Sequence, residues 1–106
     1  MAATYGFHPE ALFEYTEATN YYLHRASIRV AEGFVAAIED AVAALVVNPA
    51  QWRVIYEPEI RRYVFNRYPF VIYYRWEPQY DRVTIYAVMH CSREPDYWRV
   101  RVEPRA

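Results

Sequence analysis

His90, Arg93 and Tyr97 lie close together toward the C-terminal end of the chain. An imidazole titrating near neutrality can act as general acid or base, a guanidinium can hold a phosphate, and a phenol can position it, so the trio has the composition of a ribonuclease site. The ordinary alternative is a histidine that hydrogen-bonds at a strand end and orders the segment after it. Arg61 and Arg62 are adjacent, so on a strand they face opposite sides of the sheet and only one can share a face with a given partner. One of them then meets an acidic surface while the other stacks on an aromatic ring or pairs with a helix acid; a structural role for both is the alternative. Arg67, beside Tyr68-Pro69, carries the same ambiguity. Tyr97 and Trp98, with Arg99 and Arg101 following, could stack on nucleic-acid bases. Against that, a tryptophan in a terminal segment more often closes the edge of a core. Arg99, Arg101 and Arg105 form a basic tail, either a partner contact or a solvated end. Glu57 and Glu59 could supply a general base or simply be solvated loop acids.

The composition bounds what such groups can do. The chain has 106 residues, enough for one core without disulfides or metal, and 55% of them are hydrophobic and 19% aromatic. Cys91 is the sole cysteine, so the sequence offers no intrachain disulfide and no Cys/His zinc set, and a reducing cytoplasm is the expected location. No leader pattern and no long apolar run point to export or membrane insertion, and no motif points to a metal or cofactor. Net charge is −1, yet residues 1–60 carry three Arg against eight acids while residues 61–106 carry nine Arg against five. All twelve basic residues are Arg, so anion recognition here relies on planar forks, although a general Arg bias would give the same count. Twelve tyrosines in so short a chain imply an extensive protein interface, because Tyr suits positions where one side packs and the other meets a partner.

The elements that must position these residues read in sequence order. Residues 3–7 alternate like a short strand and run into His8-Pro9-Glu10, a helix start. Ala11, Tyr15, Ala18 and Tyr22 repeat at helical spacing out to about His24, with Glu10, Glu14 and Glu17 expected on the opposite, solvated side. Ser27 is the expected N-cap of a second helix, whose Ala31, Phe34, Ile38, Ala41 and Leu45 keep the period until Asn48-Pro49 stops it. A link this brief makes the helices an antiparallel hairpin. Residues 50–59 read as a loop. Strands are expected over 60–66, 70–76 and 83–91, separated by Tyr68-Pro69 and by a turn over 77–81. A three-strand antiparallel meander needs a lid, and the hairpin is the available one, giving a β-α-α-β-β-β two-layer α+β sandwich over residues 1–106 as one domain.

Several pieces in this order resemble the ParE/RelE toxin superfamily. They are Phe7-His8-Pro9-Glu10-Ala11, Tyr21-Tyr22, Phe34 with Ile38, Asn48-Pro49, Ile60-Arg61-Arg62, the segment Tyr68-Pro69-Phe70-Val71-Ile72-Tyr73-Tyr74, and the segment from Ala87 through His90, Arg93, Pro95 and Tyr97-Trp98. The resemblance spans residues 5–98 and implies the same fold. It implies a toxin neutralised by a cognate antitoxin, with an amphipathic helix and an extended arm of the antitoxin lying over the hairpin and the sheet.

Two activities occur on that fold. The ribosome-dependent mRNA endonuclease branch uses several basic residues on the second and third strands with an Arg and often a Tyr near the C-terminus. Here Phe70 stands at that branch's third-strand Arg, and Arg61 and Tyr63 at its second-strand basic positions, so the set is depleted. The Ile-Arg-Arg and His-x-x-Arg-x-Pro-x-Tyr-Trp pieces resemble the ParE branch, whose members are similar to DNA gyrase poisons without catalytic residues. The leading expectation is therefore a gyrase-binding toxin using Arg61, Arg62, Arg67, Arg93, Tyr97, Trp98, Arg99 and Arg101. The alternative is an endonuclease acting on mRNA at the ribosome through Arg61, Arg67, His90, Arg93 and Tyr97. A member that has lost toxicity and only binds its antitoxin is a third reading.

Overall fold

Helix α1 (Pro9–Arg25) starts where the sequence supplies a cap: His8 Nδ1 accepts the Glu10 backbone N–H at 3.1 Å, and Pro9 fills the first turn. Helix α2 (Ile28–Val47) starts at Ser27, whose extended backbone lets Oγ accept the Val30 N–H. It ends at Asn48 because a residue before proline is pushed out of the helical region. This computed structural model describes residues 3–56, 59–94 and 96–102.

Five strands follow the order β1 (Thr4–Phe7), β2 (Val54–Tyr56), β3 (Ile60–Val64), β4 (Phe70–Glu77) and β5 (Arg82–His90) along the chain. In space they lie β1-β5-β4-β3-β2. β2 to β5 are antiparallel neighbours, and β1 joins the sheet parallel to β5. The architecture is the α+β sandwich expected from the sequence, with one addition. Residues 50–59, read as a loop, contain β2, which pairs irregularly with β3. Three residues between Trp52 and Pro58 are too few to show a period of two, and pairing with β3 alone makes them a strand. β3 also ends two residues earlier than expected, at Val64.

The hairpin covers one sheet face. Phe34, Ile38, Ala41 and Leu45 of α2, with Ala11 of α1, pack on Phe70, Ile72, Tyr74, Val83, Ile85 and Val88. All five of the positions predicted on α2, from Ala31 to Leu45, are buried. The opposite face is not bare. A tail 3₁₀ helix (Tyr97–Arg101) folds back over it, and Trp98 joins Ile60, Val71, Tyr73, Tyr86, Ala87 and Met89 in a second core. β4 is therefore buried on both sides from Phe70 to Arg75, which explains its unbroken apolar run. A bulge opposite Tyr73 and Tyr74 inserts Tyr86 into β5.

Candidate functional site

The site is organised by Glu14, which the helical period had placed on the solvated side of α1. Its side chain is in fact only 11% exposed and points at the outer edge of β5. β1 pairs with β5 only as far as Phe7 and Ile85, so the β5 backbone beyond them has no strand neighbour on that side. Glu14 Oε1 accepts the Val88 N–H at 3.1 Å and caps that edge. The same carboxylate accepts both Nη groups of Arg101, at 2.9 and 3.0 Å, and the hydroxyl of Tyr97. Arg101 Nη1 also reaches the Tyr86 carbonyl at 2.9 Å. The arrangement is a charge-assisted clamp between α1, β5 and the tail.

The signal for Glu14 was present in the sequence. It lies three residues after Ala11 and four before Ala18, both of which face the body of the molecule. A carboxylate on that line has to find partners, and it finds them in the arginine-rich tail.

Titration follows from the clamp. The Tyr97 phenol is held well above its ordinary range, first by burial and then by its hydrogen bond to Glu14. Burial acts to lower Arg101, but the hydrogen bond and charge of Glu14 more than offset it and its net shift is upward. Tyr97 is thus a neutral donor.

The structure gathers part of the predicted set. Arg93 is exposed, its guanidinium 3.9 Å from the centre of the Tyr97 ring and Nη1 3.8 Å from Glu14. Arg101 lies against the same ring at 4.8 Å. His90 borders a shallow groove of about 260 Å³ with Phe13, Glu17, Ala18 and Arg93. Its Nδ1 is 2.7 Å from Ser92 Oγ and accepts the Ser92 N–H at 3.0 Å. That is the ordering role at a strand end set out as the ordinary alternative.

The remainder lies elsewhere. Arg61 faces the hairpin side, where Nη1 donates to the carbonyls of Ala50 and Trp52. It lies opposite Tyr74 while His90 lies opposite Phe70, two strands away. That separation is on the order of 15 Å, so the two cannot act on one phosphate. Arg62 points to the other face and is exposed. Arg67 is exposed on the far side of the hairpin, beside a groove of about 490 Å³ lined by Gly33, Ala37, Asp40, Tyr63 and Phe65. Arg99 is exposed with its guanidinium 4.7 Å from the Tyr56 ring centre. Trp98 needs correction as a contact residue. It is 1% exposed, stacked on Tyr73 at 4.6 Å and edge-on to Tyr56, so it offers no ring to a base. Glu59 is a half-buried residue at φ 60°, and Glu57 and Arg105 lie outside the described residues.

A helical hairpin on a five-stranded mixed sheet defines a small α+β fold, and known proteins share it. A chromosomal ParDE TA system from P. aeruginosa superposes with a TM-score of 0.69 at 19% identity, covering 84% of this chain and 96% of that one. A double-arginine mutant of E. coli toxin RelE in the free state gives 0.61 at 14% identity, covering 87% and 86%. At such identities the likeness is one of fold. The sequence profile of the ParE toxin of type II toxin-antitoxin system, parDE, matches residues 5–95. The chain belongs to the ParE toxin family, which implies an antitoxin partner. No curated protein matches it. No helix among the described residues is long and apolar enough to cross a membrane.

Proposed function

We propose that the protein is a cytoplasmic growth-inhibiting toxin that binds DNA gyrase, and that a cognate antitoxin neutralises it. The observation that carries this reading is the Glu14 clamp. The tail hydroxyl that an RNA-cleaving site would need free, that of Tyr97, is committed to the largely buried Glu14 carboxylate, which Arg101 also holds. Arg61 is committed to backbone carbonyls well away from His90. The exposed cations Arg62, Arg67, Arg93 and Arg99 are spread over the surface, which suits contact with a large partner better than convergence on one scissile phosphate. Exposed Phe13 and Tyr21, about two turns apart on neighbouring lines of α1, give an antitoxin helix apolar contacts.

The test is induced expression in bacteria while transcripts and chromosomal breaks are followed in one culture. Filamentation with gyrase trapped on broken DNA, relieved by co-expression of a candidate antitoxin, is the expected outcome. Transcripts cut at ribosomal positions with intact DNA would replace this reading with the endonuclease. Arg93→Ala separates the two further: it abolishes cleavage in an endonuclease and only alters gyrase inhibition in a binding toxin.

A further inference from the structure

Helix α2 is apolar almost all the way round. Only Arg29, Glu32, Glu39 and Asp40 in it are charged, and all its other residues are Ala, Gly, Val, Ile, Leu or Phe. A helix of that composition belongs in an interior, yet the sheet takes up one line of it, from Ala31 to Leu45. A second line runs beside the first through Val30, Gly33, Ala37, Asp40, Ala44 and Val47. Its steps alternate between three and four residues, the spacing of a seam between two packed helices. Val30 is 37% exposed and Val47 72%, and Gly33, Ala37 and Ala44 between them are only partly covered.

This line opens on the groove between α2 and β3. Gly33, Ala36 and Ala37 leave its floor low, so that the axis of a further helix can come within about 8 Å of α2. The half-buried rings of Tyr63, Phe65 and Tyr68 form the opposite wall. These rings are held in place. Tyr63 lies 5.1 Å from Phe65 and 5.2 Å from Trp52, and the Tyr68 hydroxyl rests over Gly33, where a Cβ would meet it at 2.7 Å. The two ends of the groove carry opposite charge. Arg67 adjoins Tyr68 at the Gly33 end, and Asp40 lies seven residues further along α2, about 10 Å away. Both are exposed.

We propose that this groove seats a helix of the antitoxin, laid alongside α2 over the aromatic face of β3, with a basic side chain on Asp40 and an acidic one on Arg67. The inference rests on the toxin–antitoxin reading above. It adds a second contact to that reading, because Phe13 and Tyr21 border grooves at His90 on β5, and β4 separates β5 from β3. An antitoxin with segments at both places grips the hairpin from its two flanks. The charges select the occupant and its direction: a base and an acid two turns apart on one helix face match Asp40 and Arg67 in a single orientation. A nucleic-acid strand is disfavoured by the carboxylates of Asp40 and its exposed neighbour Glu39. A second copy of the chain does not fit through its own α2. The two-fold axis that sets the two helices side by side puts both sheets beneath them, with each β3 in the place of the other.

The test uses the full-length toxin and an antitoxin chosen because its co-expression relieves growth arrest. Ala36 is exposed, so Ala36→Trp should fold as the wild type does while filling the groove. Its affinity for the antitoxin should fall roughly a hundredfold, mostly through faster dissociation. Asp40→Lys and Arg67→Glu, also at exposed positions, should each weaken binding about tenfold. Combined, they should weaken it further, whereas two side chains that merely paired with each other would regain their contact in the double variant. Exchanging the matching base and acid in the antitoxin helix should restore affinity for the doubly reversed toxin. Unchanged affinity in Ala36→Trp, or in the charge reversals where the Trp variant does not fold, overturns the proposal. So does loss of gyrase inhibition in these variants with antitoxin binding intact, which would give the groove to the target. If no candidate antitoxin relieves growth arrest, it is the toxin–antitoxin reading itself that fails.

Discussion

The two faces of the sheet are covered in different ways. On one, two long helices lay a periodic apolar stripe over Phe70, Ile72, Tyr74 and Ile85, and the buried Tyr74 hydroxyl is satisfied by the Pro49 carbonyl at 2.7 Å. On the other, one short 3₁₀ helix inserts Trp98 against Tyr73 and is held by the Glu14 clamp. The helix-covered face is built for stability. The tail-covered face is held by charged and polar contacts around one tryptophan.

The contrast breaks most sharply at Phe34. Its ring is fully buried among Tyr15, Tyr22, Tyr68 and Phe70, so Phe34→Ala should cost about 3–5 kcal/mol. Denaturant unfolding should show one transition displaced as a whole. Trp98→Ala removes a larger side chain, but the tail can lift away instead of leaving a cavity. The loss is then capped by the local stability of the tail, about 2–3 kcal/mol. Hydrogen exchange should quicken over β2 and residues 96–102 while α2 keeps its protection; uniform loss of protection would show that the two faces are a single cooperative unit.

The helix-covered face was largely legible in the sequence because α2 repeats its apolar residues at a regular interval and β3 to β5 are long enough to show their own pattern. β2 was not, since pairing with β3 defines it. The tail-covered face was read only in fragments. Trp98 could be weighed as an edge residue, but its place on Tyr73 depends on a chain reversal without periodicity. Glu14 was misplaced because a 3.6 period sorts residues into two sides, and the line from Ala11 to Ala18 runs along the margin between them. The arginines were counted correctly, yet which of them are committed is decided by the folded contacts, from Arg61 on the nearby Ala50 and Trp52 carbonyls to Arg101 on Glu14, 87 residues away.

Glu14→Gln sharpens the comparison at the clamp. It keeps the shape and removes the charge from a carboxylate whose partner Arg101 is itself only 10% exposed. Removing one member of a buried pair is strongly destabilising, but a movable tail allows Arg101 to reach solvent, so about 2–3 kcal/mol is expected. In a gyrase inhibition assay the variant should lose potency because Arg93 and Arg99 are no longer held in place. Full potency would show that the tail is not a contact.

The smallest effect is at Tyr97. Tyr97→Phe deletes one donor to Glu14 and should cost about 1 kcal/mol at neutral pH. Its signature is in pH dependence. The phenol's folded pKa lies above the ordinary tyrosine value of 10.0, so the unfolded chain releases this proton first as pH rises. The contribution is then fully present below pH 10 and decays as pH climbs above it toward the folded pKa. Tyr74, raised by burial on the helix-covered face, obeys the same sign. Stability should therefore fall in alkali in the wild type and fall less steeply in Tyr97→Phe, with the remaining slope reporting Tyr74 together with Tyr15, Tyr22 and Tyr56, which are raised as well. If Tyr97→Phe leaves the alkaline slope unchanged, the Tyr97–Glu14 contact does not persist in solution, and the tail is held by Trp98 and Arg101 alone.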